Sequence, residues 1–131
     1  MQAEQKLSTV ATTSLSDYDA IRETIQHYIA GGKTGNTTEM KLAFHNDANI
    51  FGYVGPDLLA GPIQQLFDWN DQNGAATELE GRIVSIDLVG SVATARIELD
   101  NWSGHRFTDF FTLLKVDGEW KVMNKVFYLH P

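Results

Sequence analysis

FTDFFTLLKVDGEWKVMNKVFYLHP, residues Phe107 to Pro131, is the stretch from which the rest of the chain can be placed. Asp117-Gly118 sits between two apolar runs, and Asp-Gly there marks a tight hairpin because both central residues of the turn must take positive φ. Pinned by that turn, Val116 pairs with Glu119, Leu113 with Val122, Phe111 with Asn124, Asp109 with Val126 and Phe107 with Tyr128. Side chains alternate across a strand, so one face carries Phe107, Asp109, Phe111 and Leu113 with Trp120, Val122, Asn124, Val126 and Tyr128. The other carries Thr108, Phe110, Thr112 and Leu114 with Lys121, Met123, Lys125 and Phe127. The first face is large and apolar except for a carboxylate and an amide. It is the expected core, and Asp109 and Asn124 stand apart within it.

Upstream, the chain reads as strand from Glu78 onward. Gly90-Ser91 is another hairpin turn, and pairing Val89 with Val92 gathers Val84, Ile86, Leu88, Ala93, Ala95, Ile97 and Leu99 on one face. Ser85, Asp87, Thr94, Arg96 and Glu98 fall on the opposite face, which must be at least half wet. A connection at Ser103-Gly104-His105 then sets Leu99 against Asp109 and Ile97 against Phe111, so the long strands share one apolar face. The small side chains of Ala93 and Ala95 leave concave space for helices or a ligand.

Helical patterns precede the strands. Ser16 can cap a helix whose Tyr18, Ile21, Ile25, Tyr28 and Ile29 share one face, with Gly31-Gly32 ending it. Residues 1–15, polar and rich in Ser and Thr, read as a mobile leader to a single domain over residues 16–131. Asn36 with Glu39 marks the cap of a short second helix through Phe44. His45 to Asn49 is a polar junction into a short strand, Ile50 to Val54, and Leu58-Leu59-Ala60 adds a small one. Gly61-Pro62 opens a third helix with Ile63, Leu66, Phe67 and Asn70 inward, Trp69 beside them and Gly74 at its end.

Composition narrows the function. A chain of 131 residues makes one core without staples. With no cysteine, disulfides, a thiolate nucleophile and thiolate zinc are excluded. Seventeen acidic against ten basic residues, a net charge of −7, argue against nucleic acid and anionic membranes, both of which select clustered Lys and Arg. No uncharged run approaches the roughly 20 residues that a membrane span needs, and the N-terminal stretch has no basic start or apolar centre. A cytoplasmic location is expected. No nucleophile, metal-ligand spacing or phosphate loop stands out, so neither cofactor nor metal is implied.

Tyr28-Ile29 before the glycines, Phe44-His45-Asn46-Asp47-Ala48, Gly61-Pro62-Ile63-Gln64-Gln65-Leu66-Phe67 and the closing run from Asp109 to Val122 together resemble the nuclear transport factor 2-like superfamily. The resemblance covers roughly Asp17 to Tyr128, and with Asn124-Lys125-Val126-Phe127 it is most similar to the lumazine-binding branch. It implies an α+β fold in which three N-terminal helices pack in the concavity of a strongly curved, mainly antiparallel sheet. That cone-shaped, ketosteroid-isomerase-like fold encloses a deep pocket and often dimerises through the sheet. It serves isomerases, cyclases, dehydratases and binding modules, so it constrains function weakly. In the isomerase pattern a first-helix tyrosine donates to the substrate oxygen, a role that falls on Tyr28. The general base of that pattern falls at or beside Gly52, which has no side chain. Its second acid falls near Thr112, with Asp109 the nearest carboxylate and out of register, which argues against isomerase chemistry by that constellation.

Three functional readings follow. In the first, a small-molecule-binding domain, Tyr53, Trp69, Phe111, Trp120, Asn124 and Tyr128 line an aromatic slot for an apolar or aromatic ligand. In the second, a small acid–base enzyme, Asn124 helps to orient a carbonyl and three residues carry the chemistry: Asp109, a carboxyl raised in pKa by its apolar setting, Tyr28, which orients the carbonyl, and His45, which shuttles a proton. Each of these three has a structural alternative: Tyr28 as a core tyrosine, His45 at a helix end, Asp109 as an acid satisfied by Asn124. In the third reading the chain is a dimeric interaction module, paired through Phe110, Leu114, Met123 and Phe127 on the outer sheet face. Lys121 and Lys125 would snorkel to the edge of that interface.

Overall fold

The computed structural model describes the backbone of residues 2–131 and the side chains of residues 15–131, so all of the leader expected at residues 1–15 except Leu15 lies outside the side chains it describes. In chain order the elements are α1 (Gln2–Thr34), α2 (Thr37–Lys41), β1 (Phe44–Val54), β2 (Asp57–Pro62), α3 (Gln64–Asn73), β3 (Glu80–Val89), β4 (Val92–Trp102), β5 (His105–Val116) and β6 (Glu119–Leu129). The strands form one six-stranded mixed sheet in the order β2-β1-β6-β5-β4-β3, with β1 parallel to β6 and the other neighbours antiparallel. The helices pack against one face of it. This is the expected α+β architecture. Among the described residues no helix is long and apolar enough to cross a membrane.

Ile21, Ile25, Tyr28 and Ile29 form the buried stripe of α1, as their spacing predicts. Ser16 lies within that helix and does not cap it, and the helix runs through Gly31-Gly32 to Thr34. The two glycines serve close packing instead. A Cβ on Gly31 would lie 2.5 Å from Cβ of Met40, and one on Gly32 would lie 2.6 Å from the Trp102 ring. Asn36 caps α2 by accepting from the Glu39 N–H at 3.1 Å, but α2 ends at Lys41. Phe44 and the expected junction at His45 to Asn49 belong to β1, and Pro62 closes β2 rather than opening α3.

The hairpin that anchored the sequence analysis departs from its expected register in one place. Val116 opposes Glu119 and Leu113 opposes Val122, but Thr112 then opposes Asn124, so Met123 is an extra residue in β6. Everything beyond that bulge changes face: Lys125 and Phe127 turn inward, while Val126 and Tyr128 are exposed. The bulge falls where β6 meets β1, with Val122 opposite Phe44 and the next pair Asn49 opposite Asn124. Inward placement gives Phe127 the space over Gly52, where a Cβ would come within 2.5 Å of its ring. It also supplies a cation to Asp109.

Two smaller corrections share this logic. Ile97 opposes Asp109 and Leu99 opposes Phe107, two residues away from expectation: the turn tightens by one so that Trp102 opposes His105, and an irregularity between Leu99 and Trp102 adds the other. Asn101 and Ser103 take positive φ there, at 59° and 52°. A slip of two preserves which face is buried. In β3 an irregularity between Ile83 and Ser85 leaves Val84 exposed and turns Ile83 toward the core.

Candidate functional site

Three polar side chains meet beneath the sheet's concave face. Tyr28 arrives from the apolar stripe of α1, Asp109 from the inward face of β5, and Lys125 from β6 because the Met123 bulge rotates it in. All are buried, at 0%, 0% and 4% exposure. The Tyr28 hydroxyl donates to Asp109 Oδ2 at 2.5 Å, Lys125 Nζ donates to that same hydroxyl at 2.7 Å, and Nζ stands 3.6 Å from Oδ2. Aromatic rings enclose the group. Tyr28 packs against Phe44, Trp102 and Phe111 at centroid distances of 5.7, 5.3 and 5.3 Å. Lys125 Nζ lies 4.8 Å from the ring centre of Tyr28, 5.6 Å from that of Trp102 and 5.7 Å from that of Phe127.

Burial shifts the proton affinity of each group in this array. It raises the Asp109 carboxyl above its ordinary pKa, against the opposing pull of Lys125 and the hydrogen bond from Tyr28. Burial likewise lowers the Lys125 ammonium, and Asp109 restores only part of the loss. Burial and the adjacent carboxylate both push the Tyr28 phenol well up, so it stays protonated. In each of the two ionisable partners burial is opposed by the other's charge, and the phenol bridges them. Asp109 Oδ1 and Trp102 Nε1 are both buried without a hydrogen-bond partner.

Beside the array is a cavity of about 120 Å³. Trp69, Trp102, Phe107 and Phe127 give it aromatic walls, with Ile50, Leu66 and Leu129 between them. Its polar lining comes from Gln65, His105 and Lys125. Lys125 alone of the three reaches the cavity, while Tyr28 and Asp109 stand behind it. Trp102 and Phe127, whose ring centres lie 5.6 and 5.7 Å from Nζ, are both cavity walls, and Lys125 lines the cavity with them.

The residues expected to form a site are thus partly assembled. Asp109 and Tyr28 are joined, Trp69 lines the cavity, and Phe111 packs beneath Tyr28. His45 lies elsewhere, in β1, with Nδ1 accepting from the Asp47 N–H at 3.0 Å. Asn124 faces away from Asp109 and donates to Asn49. Tyr53 and Tyr128 are exposed on the outer face at 62% and 58%. Trp120 is buried at the far end of the sheet, where its Nε1 donates to Asp17 Oδ1 at 2.9 Å. Of the outer-face residues expected at an interface, Phe110 is exposed, Leu114 and Met123 are half-buried and Phe127 is inside. Simple alternation placed Lys125 outside and passed over Trp102. The available signal was Asp109 itself, since a carboxylate among apolar neighbours requires a partner. Among the described residues no group of three or more His, Asp or Glu side chains is placed to hold a metal ion.

A family described as "Putative lumazine-binding" matches residues 16–128. The chain belongs to this family. In keeping with that membership, it is 48% identical to a solved nuclear transport factor 2-like protein of unknown function from Methylobacillus flagellatus, over 90% of this chain and 95% of that one, with a TM-score of 0.87. A second such protein, from Shewanella baltica, is 46% identical over 91% of this chain and 98% of its own, with a TM-score of 0.86. The aldolase FrzH from Cladobotryum sp is 31% identical over 117 residues, which are 88% of this lumazine-binding-family chain and 94% of the aldolase.

Proposed function

We propose that the cavity binds a small, largely apolar aldehyde or ketone and activates it for proton transfer at the carbon next to the carbonyl. One observation carries this reading: a buried lysine lining an apolar cavity, backed by a tyrosine and a carboxyl group through short hydrogen bonds. Apolar walls select the ligand's skeleton, and the Lys125 nitrogen faces the place where a carbonyl would lie. A proton leaving Nζ has a path through the Tyr28 hydroxyl to Asp109, whose raised pKa suits it to hold and return that proton. The similarity to an aldolase favours such chemistry, because aldol reactions begin by removing a proton beside a carbonyl. In scale, an apolar cavity of about 150 Å³ holds benzene, so one small ring is the upper limit of what this cavity, at about 120 Å³, can take.

Exchange of the α-protons of cyclohexanone in heavy water, followed by NMR, tests the proposal. Wild-type protein should accelerate the exchange above buffer, with Lys125→Met inactive and Asp109→Asn and Tyr28→Phe slowed. Binding of cyclohexanone without exchange would favour the alternative of a non-catalytic binding domain.

We infer also that a second copy covers the outer sheet face. Phe51, Tyr53, Phe110, Val126 and Tyr128 project from β1, β5 and β6, adjacent or next-adjacent strands, at 37–62% exposure. A contiguous apolar patch of that kind is characteristic of an interface.

A further inference from the structure

We propose that Lys125 is a covalent amine, forming a reversible imine with the carbonyl group of the bound ligand. This rests on the reading above, that the cavity takes a carbonyl compound, and names the step by which it is activated. The polar neighbours of Nζ are the Tyr28 hydroxyl at 2.7 Å and Asp109 Oδ2 at 3.6 Å. The ring centres of Trp102 and Phe127 lie 5.6 and 5.7 Å from Nζ, both residues are cavity walls and Lys125 itself lines the cavity, so a reacting atom would approach from there. A lysine that serves only to neutralise a buried acid has no need of a cavity at its nitrogen. Burial further favours the unprotonated amine, which is the nucleophile.

The step balances within the residues present. The Nζ lone pair attacks the carbonyl carbon, the C=O π bond opens, and one Nζ proton passes to the former carbonyl oxygen, giving a carbinolamine. Asp109 then releases its proton through the Tyr28 hydroxyl to that oxygen, which leaves as water while the C=N bond forms. The products are a protonated imine on Lys125 and an Asp109 carboxylate to pair with it. The Asp109 Oδ1 atom, buried without a partner, is then available to accept the N–H of the imine. Transfer of an α-proton from the protonated imine through the Tyr28 hydroxyl to the Asp109 carboxylate gives an enamine, the carbon nucleophile that an aldol reaction uses.

The full chain, incubated at about pH 7 with cyclohexanone and sodium cyanoborohydride, should gain one mass adduct, mapped by peptide analysis to Lys125. Exposed Lys33 and Lys41 are internal controls. Burial lowers the Lys125 ammonium, so Lys125 should be labelled faster than either. Lys125→Arg keeps a hydrogen-bonding cation but cannot form the imine, and it should lose the adduct while circular dichroism stays unchanged. Should that variant not fold, wild-type labelling against pH decides: Lys125 should be modified at lower pH than Lys33 and Lys41. Labelling of Lys33 and Lys41 with Lys125 untouched would overturn the imine. If α-proton exchange persisted in that case, the carbonyl-binding reading would stand and only the covalent step would fall. Absence of cyclohexanone binding, exchange and adduct together would overturn both.

Discussion

Lys125→Met keeps the stem of the side chain and removes its nitrogen, leaving Asp109 fully buried with Tyr28 as its hydrogen-bond partner. Breaking a buried charged pair from one side costs about 3–5 kcal/mol when the remaining group stays ionised. Here the carboxyl can instead take up a proton, which fixes the sign of the pH dependence. Without the lysine's pull, the folded-state pKa of Asp109 rises further above its unfolded value, so the folded protein binds a proton that the unfolded chain has released. Stability of Lys125→Met should therefore be retained at acid pH and fall as pH rises above the unfolded carboxyl's pKa of about 4. Thermal midpoints across that range check it, and a midpoint that rises with pH would contradict it. Tyr28→Phe removes the hydroxyl that links the other two groups and should cost about 1–3 kcal/mol in urea unfolding, because two buried polar partners are left unsatisfied. No loss would mean that the hydroxyl is not the bridge.

Among the secondary-structure elements, the decisive feature is the Met123 bulge in β6. The Asp117-Gly118 turn and the pairs from Val116-Glu119 to Leu113-Val122 were legible because turn chemistry and alternation agree there. Past Val122 alternation loses its authority: a single extra residue inverts the faces, and the cause lies in β1, distant in sequence, where β6 finds its parallel partner. Tyr28 and Asp109 could be singled out as site residues because each is a polar group on an otherwise apolar face. Lys125 could not, since its inward turn depends on a bulge that local sequence does not mark. Gly31-Gly32 misled for a related reason, because glycine ends helices but also lets another element come close. That close approach is testable. Gly52→Ala should push the Phe127 ring out of place, and Gly32→Ala should do the same to Trp102. Each overpacked site should cost about 1–3 kcal/mol and diminish cyclohexanone binding, since both rings are cavity walls. Variants as stable as wild type with intact binding would show that the contacts are looser than the structure has them.

For the whole molecule, the inner face of the sheet holds the cavity and the outer face is apolar in water. Replacing Phe110 and Tyr128 by Asp should convert a dimer to a monomer in sedimentation, whereas wild-type protein sedimenting as a monomer at micromolar concentration would remove the interface. What joins residue, strand and molecule is the position of the Lys125 nitrogen, buried beside Tyr28 and Asp109 in the cavity lining. NMR titration of the lysine Nζ groups in ¹⁵N-labelled protein measures it most directly. Lys125 should titrate below Lys33 and Lys41 and shift again in Asp109→Asn; titration of Lys125 together with those exposed lysines would contradict its burial and the site built on it.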